Sequence, residues 1–202
     1  MEQARVTLHT HERTASGDSE TPAATLAEEY ARRGVDFVGF VGHDDRPHVD
    51  FSRLPIQGIT GIEHEIQTAP RVHIVEFPEY DFSFLAHPAM TYTDNVGENA
   101  VETAREHGVD AIEAYSRGEE HLPGDSLQDF ALVANDDAHS THQIGGSYME
   151  TIVPRTEPQE IITAVRDGRV ELHNPGLSTR RWMAGRLHQG LSMVASGERP
   201  QR

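Results

Sequence analysis

LHTHERTASGD, running from Leu8 to Asp18, sets His9 and His11 one residue apart at the end of an apolar run, with Asp18 seven positions behind. Val6 and Leu8 alternate with small or polar neighbours, so the segment reads as a strand entering a loop. Residues i and i+2 of a strand share a face, which lets His9 and His11 reach one point. Two neutral imidazoles converging on a point suit a divalent metal ion, and a nearby carboxylate serves that ion or a neighbouring one. A lone His-x-His is equally the solvated end of a loop. The remainder of the chain has to decide between these.

The same ending recurs along the chain. TPAATLAEEYARRG reads as a helix with Thr21 as N-cap, Pro22 at its first position and a stop at Gly34. VDFVGFVGHDD follows as a buried strand ending in His43, Asp44 and Asp45. ITGIEHEI and RVHIVEF are strands parted by a turn at Ala69-Pro70, and FSFLAHP is a third that ends in His87. Asp94 to His107 reads as a helix closed by Gly108, and VDAIEAY as a strand. FALVANDDAH ends as a strand in acids and a histidine, and Glu157 to Asp167 is a helix closed by Gly168 before RVEL. Metal-type residues thus stand where strands end, at His9, His43, Glu63, His87 and Asp137. In α/β folds the carboxyl ends of the strands carry the site. Contributions from nearly every strand favour a barrel over an open sheet, whose site sits at one switch point. No Gly-rich nucleotide fingerprint supports the open sheet.

Composition narrows the chemistry. The 202 residues suit a single domain, with STRRWMAGRLHQGLSMV as a closing helix at about 178–196 that packs through Trp182, Met183, Leu187 and Leu191. The absence of cysteine excludes disulfides and thiolate ligands, leaving imidazole and carboxylate to hold Mn, Zn or Fe. A formal charge of −16 argues against a nucleic-acid groove. No long apolar run predicts a membrane span, and the first residues lack signal-peptide character, so the cytoplasm is the expected location. All 17 basic residues are Arg, a composition that resembles proteins from salt-loving archaea; a GC-rich genome encoding a merely acidic protein is the other reading.

Taken in order, LHTH, SGD, GHD, GIE, AHP and NDDAH resemble the motifs of the PHP (polymerase and histidinol phosphatase) family of metal-dependent phosphoesterases. Those motifs are D-L-H-x-H, S-D-G, T-D-H, G-x-E, His-Pro and S-D-A-H, and the resemblance covers about residues 6–172. It implies a distorted seven-stranded (β/α)7 TIM-like barrel holding two or three divalent ions. By the same resemblance His9, His11, Glu63 and Asp137 surround one ion, Asp18, His43 and His139 another, and Glu63 bridges to a third position shared with His87. Thr7 replaces the family's Asp, Gly17-Asp18 is transposed, and Asn135-Asp136 replaces the usual Ser. At the end of IEAYS, where some members supply another His, Ser116 suggests a depleted middle site and a dinuclear enzyme.

The implied activity is hydrolysis of a phosphate ester by a metal-activated water, with Glu63 as bridge and His87 or His139 as proton donor. Arg13, Arg46 and Arg180 are the candidates for binding phosphate. The substrate class is a small phosphorylated metabolite or nucleotide; substrate, metal and oligomeric state stay open. A histidinol-phosphatase-like monoesterase, a non-catalytic regulatory domain and a metal-storing protein are the alternatives. The remaining histidines, among them His64, His73 and His121, are expected to be structural, and Asp44, Asp45 and Asp136 solvated or supporting.

The charge generates a first expectation. A chain at −16 repels itself strongly below roughly 0.1 M salt, where the Debye length is about 10 Å or more, and far less near 1 M, where it is about 3 Å. The melting temperature should therefore climb steadily from low to molar KCl; a flat or falling curve removes the halophilic reading.

Overall fold

The computed structural model describes residues 2–43, 45–67, 71–89, 96–121, 130–153, 156–178, 180, 181, 183–185 and 187. Its strands are β1 (Glu2–His11), β2 (Phe37–His43), β3 (Gln57–Ile66), β4 (Val72–Phe77), β5 (Phe82–Ala86), β6 (Ala111–Ser116), β7 (Glu119–Glu120), β8 (Ala131–Asn135), β9 (Tyr148–Val153) and β10 (Val170–His173). The α-helices are α1 (Ala23–Arg32), α2 (Ala100–His107) and α3 (Pro158–Arg166). All strands join one sheet in the order β10-β9-β1-β2-β3-β4-β5-β6-β7, with β8 also on β6. The sheet curls until β8 returns beside β1, where Thr10 bridges Ala138 and the His11 N–H donates to the Ala138 carbonyl at 2.9 Å. Two residues at this seam are those that depart from the family motifs. The Leu8 N–H donates to Asn135 Oδ1 at 2.6 Å, and the Asp136 N–H donates to Thr7 Oγ1 at 3.2 Å.

The result is a mixed α/β fold around a curled sheet, and it departs from regular strand–helix alternation. β3, β4 and β5 run as an antiparallel meander, so no crossover helix is needed between them. Among the described residues, parallel strand pairs are β1–β2, β2–β3, β5–β6 and β6–β8, with the isolated Thr10–Ala138 bridge also parallel. A seven-stranded (β/α)7 barrel is therefore not what the strand and helix inventory describes.

α1 forms because Leu26, Ala27 and Tyr30 make one buried stripe against Val38 and Phe40 of β2, and it stops before Gly34, whose φ is 75°. Its N-cap is Pro22 rather than Thr21. α2 starts at Ala100 behind a short 3-10 turn, later than the expected Asp94, which lies outside the described residues. So do the Ala69-Pro70 turn, Asp44 and most of the closing helix, including Trp182 and Leu191. Where that helix is described, Met183 and Leu187 are 60% and 66% exposed, so they are not its packing face. It docks instead through Gly185 against Gln143 and through Arg181, which donates to the Ile144 carbonyl.

One irregularity sets up the site. Ala4, Val6 and Leu8 point into the main core, whereas Thr10 faces outward and shares a hydrogen bond with the Tyr30 hydroxyl at 2.7 Å. Strict alternation would turn Thr10 inward and His9 and His11 outward. The register of β1 on β2 instead shifts between Thr7 and Thr10, so that Leu8 and His9 together oppose Gly39. This bulge reverses the parity and sends both histidines inward above the core, where His9 meets the edge of Phe84 at 6.0 Å.

Gly39 makes the bulge possible: a Cβ there would lie 2.6 Å from the Leu8 carbonyl oxygen. Gly39→Ala should cost about 1–3 kcal/mol of unfolding free energy. Chemical denaturation checks this, and a change below roughly 0.5 kcal/mol would contradict the close packing.

Candidate metal centre

The inward-facing strand ends gather imidazoles and carboxylates in a dry cup. Glu63 is its focus. Its Oε1 lies 2.9 Å from His87 Nε2, 2.9 Å from His73 Nδ1 and 3.5 Å from His9 Nε2. Its Oε2 lies 3.2 Å from His11 Nε2 and 3.1 Å from His43 Nδ1. Asp137 Oδ1 faces His11 at 3.3 Å and His9 at 3.6 Å. Asp18, despite the transposed Gly17, reaches His139 Nε2 at 2.7 Å and His43 Nε2 at 3.3 Å. His9, His11, Glu63, His87, Asp137 and His139 are all at most 2% exposed, and the His43 side chain, at 28%, is the solvent-facing member.

Ligand atoms within 4.8 Å of one another form three groups: His11, Asp18, His43 and His139; His9, His11 and Asp137; and His9, Glu63 and His87. All eight expected ligand positions are thereby brought together. Of the three arginines singled out, Arg13 and Arg180 are exposed. Arg46 is engaged by Glu79 at 2.9 Å and by Thr60 Oγ1 at 2.6 Å rather than by the carboxylates of the cup.

The donors suit divalent ions. His9 Nδ1 faces Glu113 Oε1 at 3.4 Å and His11 Nδ1 faces Ser16 Oγ at 2.9 Å. Protons on those two nitrogens leave the Nε2 lone pairs facing each other 3.1 Å apart, an arrangement that a cation relieves. Burial pushes Glu63 up, yet His73, His9 and the other imidazoles hold it well below the usual carboxylate range. Burial likewise raises Asp137, but Arg117 and His9 keep it well below. His139 is pushed down by burial to about 4, so its ring is a neutral donor near pH 7. Against burial, His9 and His43 are instead held well above the ordinary histidine range, by Asp137 and Glu63 and by Asp18 and Glu63 respectively, so that a bound cation would take the place of a proton there. Carboxylates beside imidazoles, with no thiolate present, form an oxygen and nitrogen set of the kind that holds Zn, Mn or Fe.

Four participants were not assigned to the site from sequence. His73 starts an antiparallel strand, so it stands on the same edge as the carboxyl end of β3, opposite Glu65. A search of strand ends passes over it for that reason. Glu113 is wholly buried and binds His9 Nδ1, the His87 N–H at 2.7 Å and Asn135 Nδ2 at 2.8 Å. Arg117 approaches Asp137 Oδ2 at 2.6 Å. His121 is brought back over the end of β6 by the β6–β7 hairpin, its N–H donating to the Ala114 carbonyl at 2.9 Å. It is 3% exposed, and its Nε2 has no hydrogen-bond partner among the described residues. Burial lowers its pKa to about 4, with Glu113, His87 and Asp137 all close enough to perturb it. Asp136 is not a ligand. It ties the loop after β8 by accepting from the Gly145, Gly146 and Ser147 N–H groups, and burial raises it to about 6.

No protein-family model and no curated protein matches the sequence. Solved structures do match the fold. A two-domain protein containing a predicted PHP-like metal-dependent phosphoesterase, from Bacteroides vulgatus, superposes with a TM-score of 0.66 at 13% identity, over 86% of this chain and 65% of its own. PsfC from Pseudomonas syringae gives 0.62 at 13% identity over 95% of this chain and 99% of its own. The lesion-specific endonuclease PfuEndoQ from Pyrococcus furiosus gives 0.59 at 15%, over 89% of this chain and 60% of its own. The chain thus spans just under two thirds of the first and third of these proteins. It shares their fold, and with it the fold of a PHP-like metal-dependent phosphoesterase.

Proposed function

We propose that this chain is a divalent-metal-dependent hydrolase of phosphate esters that holds three ions. The observation that carries this reading is the convergence of three overlapping ligand groups at one edge of the sheet. Because the Nδ1 atoms of His9 and His11 are engaged by Glu113 and Ser16, each ring has a single nitrogen to offer and serves one ion. The groups then resolve into His9, His11, Glu63 and Asp137; Glu63 and His87; and Asp18, His43 and His139. His121, buried with an unpartnered Nε2 among the described residues and perturbed by His87, would complete the second set, which favours three ions over two. Sets of three or four protein donors leave coordination positions open, as a catalytic site needs and a storage site does not.

Bound ions of this kind supply a hydroxide near neutral pH and stabilise the leaving oxygen of a phosphate ester. The protein's own part is placement. Glu63 would be shared between two ions, and Glu113 orients both His9 and the backbone N–H of His87. His87 and His139 direct Nε2 at Glu63 and Asp18, which supports ligation rather than proton donation for both. The partly exposed His43 marks the side from which substrate arrives. A small phosphorylated metabolite or nucleotide fits the charge of −16 better than a polymeric nucleic acid does.

Two measurements test the reading. Protein loaded with Mn²⁺ and freed of excess should carry close to three ions per chain by elemental analysis, and a chelator should abolish turnover of an aryl phosphate. Fewer than one ion per chain would sink the proposal. Glu63→Gln should lower kcat/KM by roughly 1,000-fold. Glu65→Gln, two residues along and paired with Arg71 at 3.4 Å, should be tolerated, and equal losses would remove the bridging role.

A further inference from the structure

Among the described non-glycine residues, the left-handed backbone region holds Asp81, His87, Arg117 and Asp137, and three of these four lie in the centre. His87 and Asp137 are there to aim ligands. Arg117 is not a ligand type, and its conformation calls for another account, because such strain persists where the surroundings impose it.

Arg117 and Gly118, with φ of 54° and 81°, form the two-residue turn between Ser116 and Glu119, which are paired across β6 and β7. A hairpin turn with both central φ values positive prefers Asn-Gly at these positions. The chain places a long cation in the first of them and pins the turn from outside, the Gly118 N–H donating to Ser147 Oγ at 2.9 Å. The side chain that this displays is 7% exposed. Its NH2 group meets Asp137 Oδ2 at 2.6 Å and lies 3.4 Å from His139 Nδ1, and its Nε–H donates to the Asp137 carbonyl at 3.1 Å. Both ends of Asp137, carboxylate and backbone, are thus held by one guanidinium. The Asp137 oxygen nearer the ligand cup is Oδ1, 3.3 Å from His11 and 3.6 Å from His9, whereas Oδ2, beside Arg117, stands 4.0 Å from His87 Nε2.

We infer that Arg117 is a positioning residue of the metal centre. Its guanidinium occupies Asp137 Oδ2, so that Asp137 offers one oxygen to the ion held with His9 and His11, and it fixes the short segment that carries both Asp137 and His139. This rests on the three-ion reading above. A flat fork that binds two acceptors at once is a property of Arg and not of Lys. The fixed positive charge also offsets part of the carboxylate charge under the ions.

The test separates orientation from mere support of the fold. Arg117→Asn installs the residue that the turn prefers and removes the guanidinium, so the melting temperature of the metal-free protein should stay level or rise. Mn²⁺ affinity, read by competition with a fluorescent chelator, should nonetheless fall by about 10–100-fold for at least one ion, the size usual when a residue orienting a ligand is lost. Arg117→Lys should recover part of that loss. Unchanged Mn²⁺ affinity in Arg117→Asn overturns the inference. So does unchanged metal affinity accompanied by weaker inhibition by inorganic phosphate, which would give the guanidinium to the substrate. Loss of stability in step with loss of metal, without rescue by Lys, reduces Arg117 to a structural residue. If the wild-type protein itself takes up no Mn²⁺, the proposed function falls together with the inference; the other adverse results remove the role of Arg117 alone.

Discussion

A single carboxylate in contact with five imidazoles is the constraint around which this protein is organised. Glu63 touches His9, His11, His43, His73 and His87, drawn from four separate segments of the chain, and all within 3.5 Å. In a site this dry an unpaired carboxylate is costly, and so is a cluster of unpaired imidazole lone pairs. Each kind of group makes the other tolerable, and divalent ions placed between them would make the cluster favourable. The curled sheet is the scaffold that makes the convergence possible, since its curvature turns the ends of β1, β2, β3, β5 and β8 toward one volume.

Regular strands could not have delivered these side chains. A period of two sends alternate residues to opposite faces, yet the core residue Leu8 and the ligand His9 are neighbours and both face inward. The bulge opposite Gly39 resolves that conflict in β1. At the end of β5 the φ of 27° at His87 follows the inward Ala86, and after β8 the φ of 45° does the same for Asp137. The distortions are concentrated at the ligand edge, while the helix-covered core beneath stays regular. Rigidity below and strain above belong together, because only a well-packed base holds such conformations in place.

The seam between β1 and β8 shows how departures from family motifs are absorbed. Thr7 and Asn135, standing where Asp and Ser are usual, accept the backbone N–H groups of Asp136 and Leu8 across the gap. Asn135 also donates to Glu113, which in turn holds His9. The substitutions therefore close the sheet and steady a ligand without entering the ligand set.

The meeting residues His9, His43, Glu63, His87 and Asp137 were legible in the amino-acid sequence as metal-type groups, because each follows an apolar run and local periodicity reveals where a strand stops. The helices α1 and α3 were equally legible, marked by apolar stripes and by glycines just past their ends. His73 was hidden because β4 runs antiparallel, so that a strand's start, not its end, lies at the site. Glu113 reads as an ordinary residue inside a strand, and Arg117 and His121 depend on a two-residue turn whose sequence does not announce it. The succession of β3, β4 and β5 without helices was legible as three strands in a row, but their antiparallel pairing was not, since strand direction is a property of pairing and not of any one strand. Local sequence determined which residues could bind metal and where strands end. Tertiary structure alone decided strand direction, side-chain parity and which distant groups meet, because those depend on contacts between segments far apart in the chain.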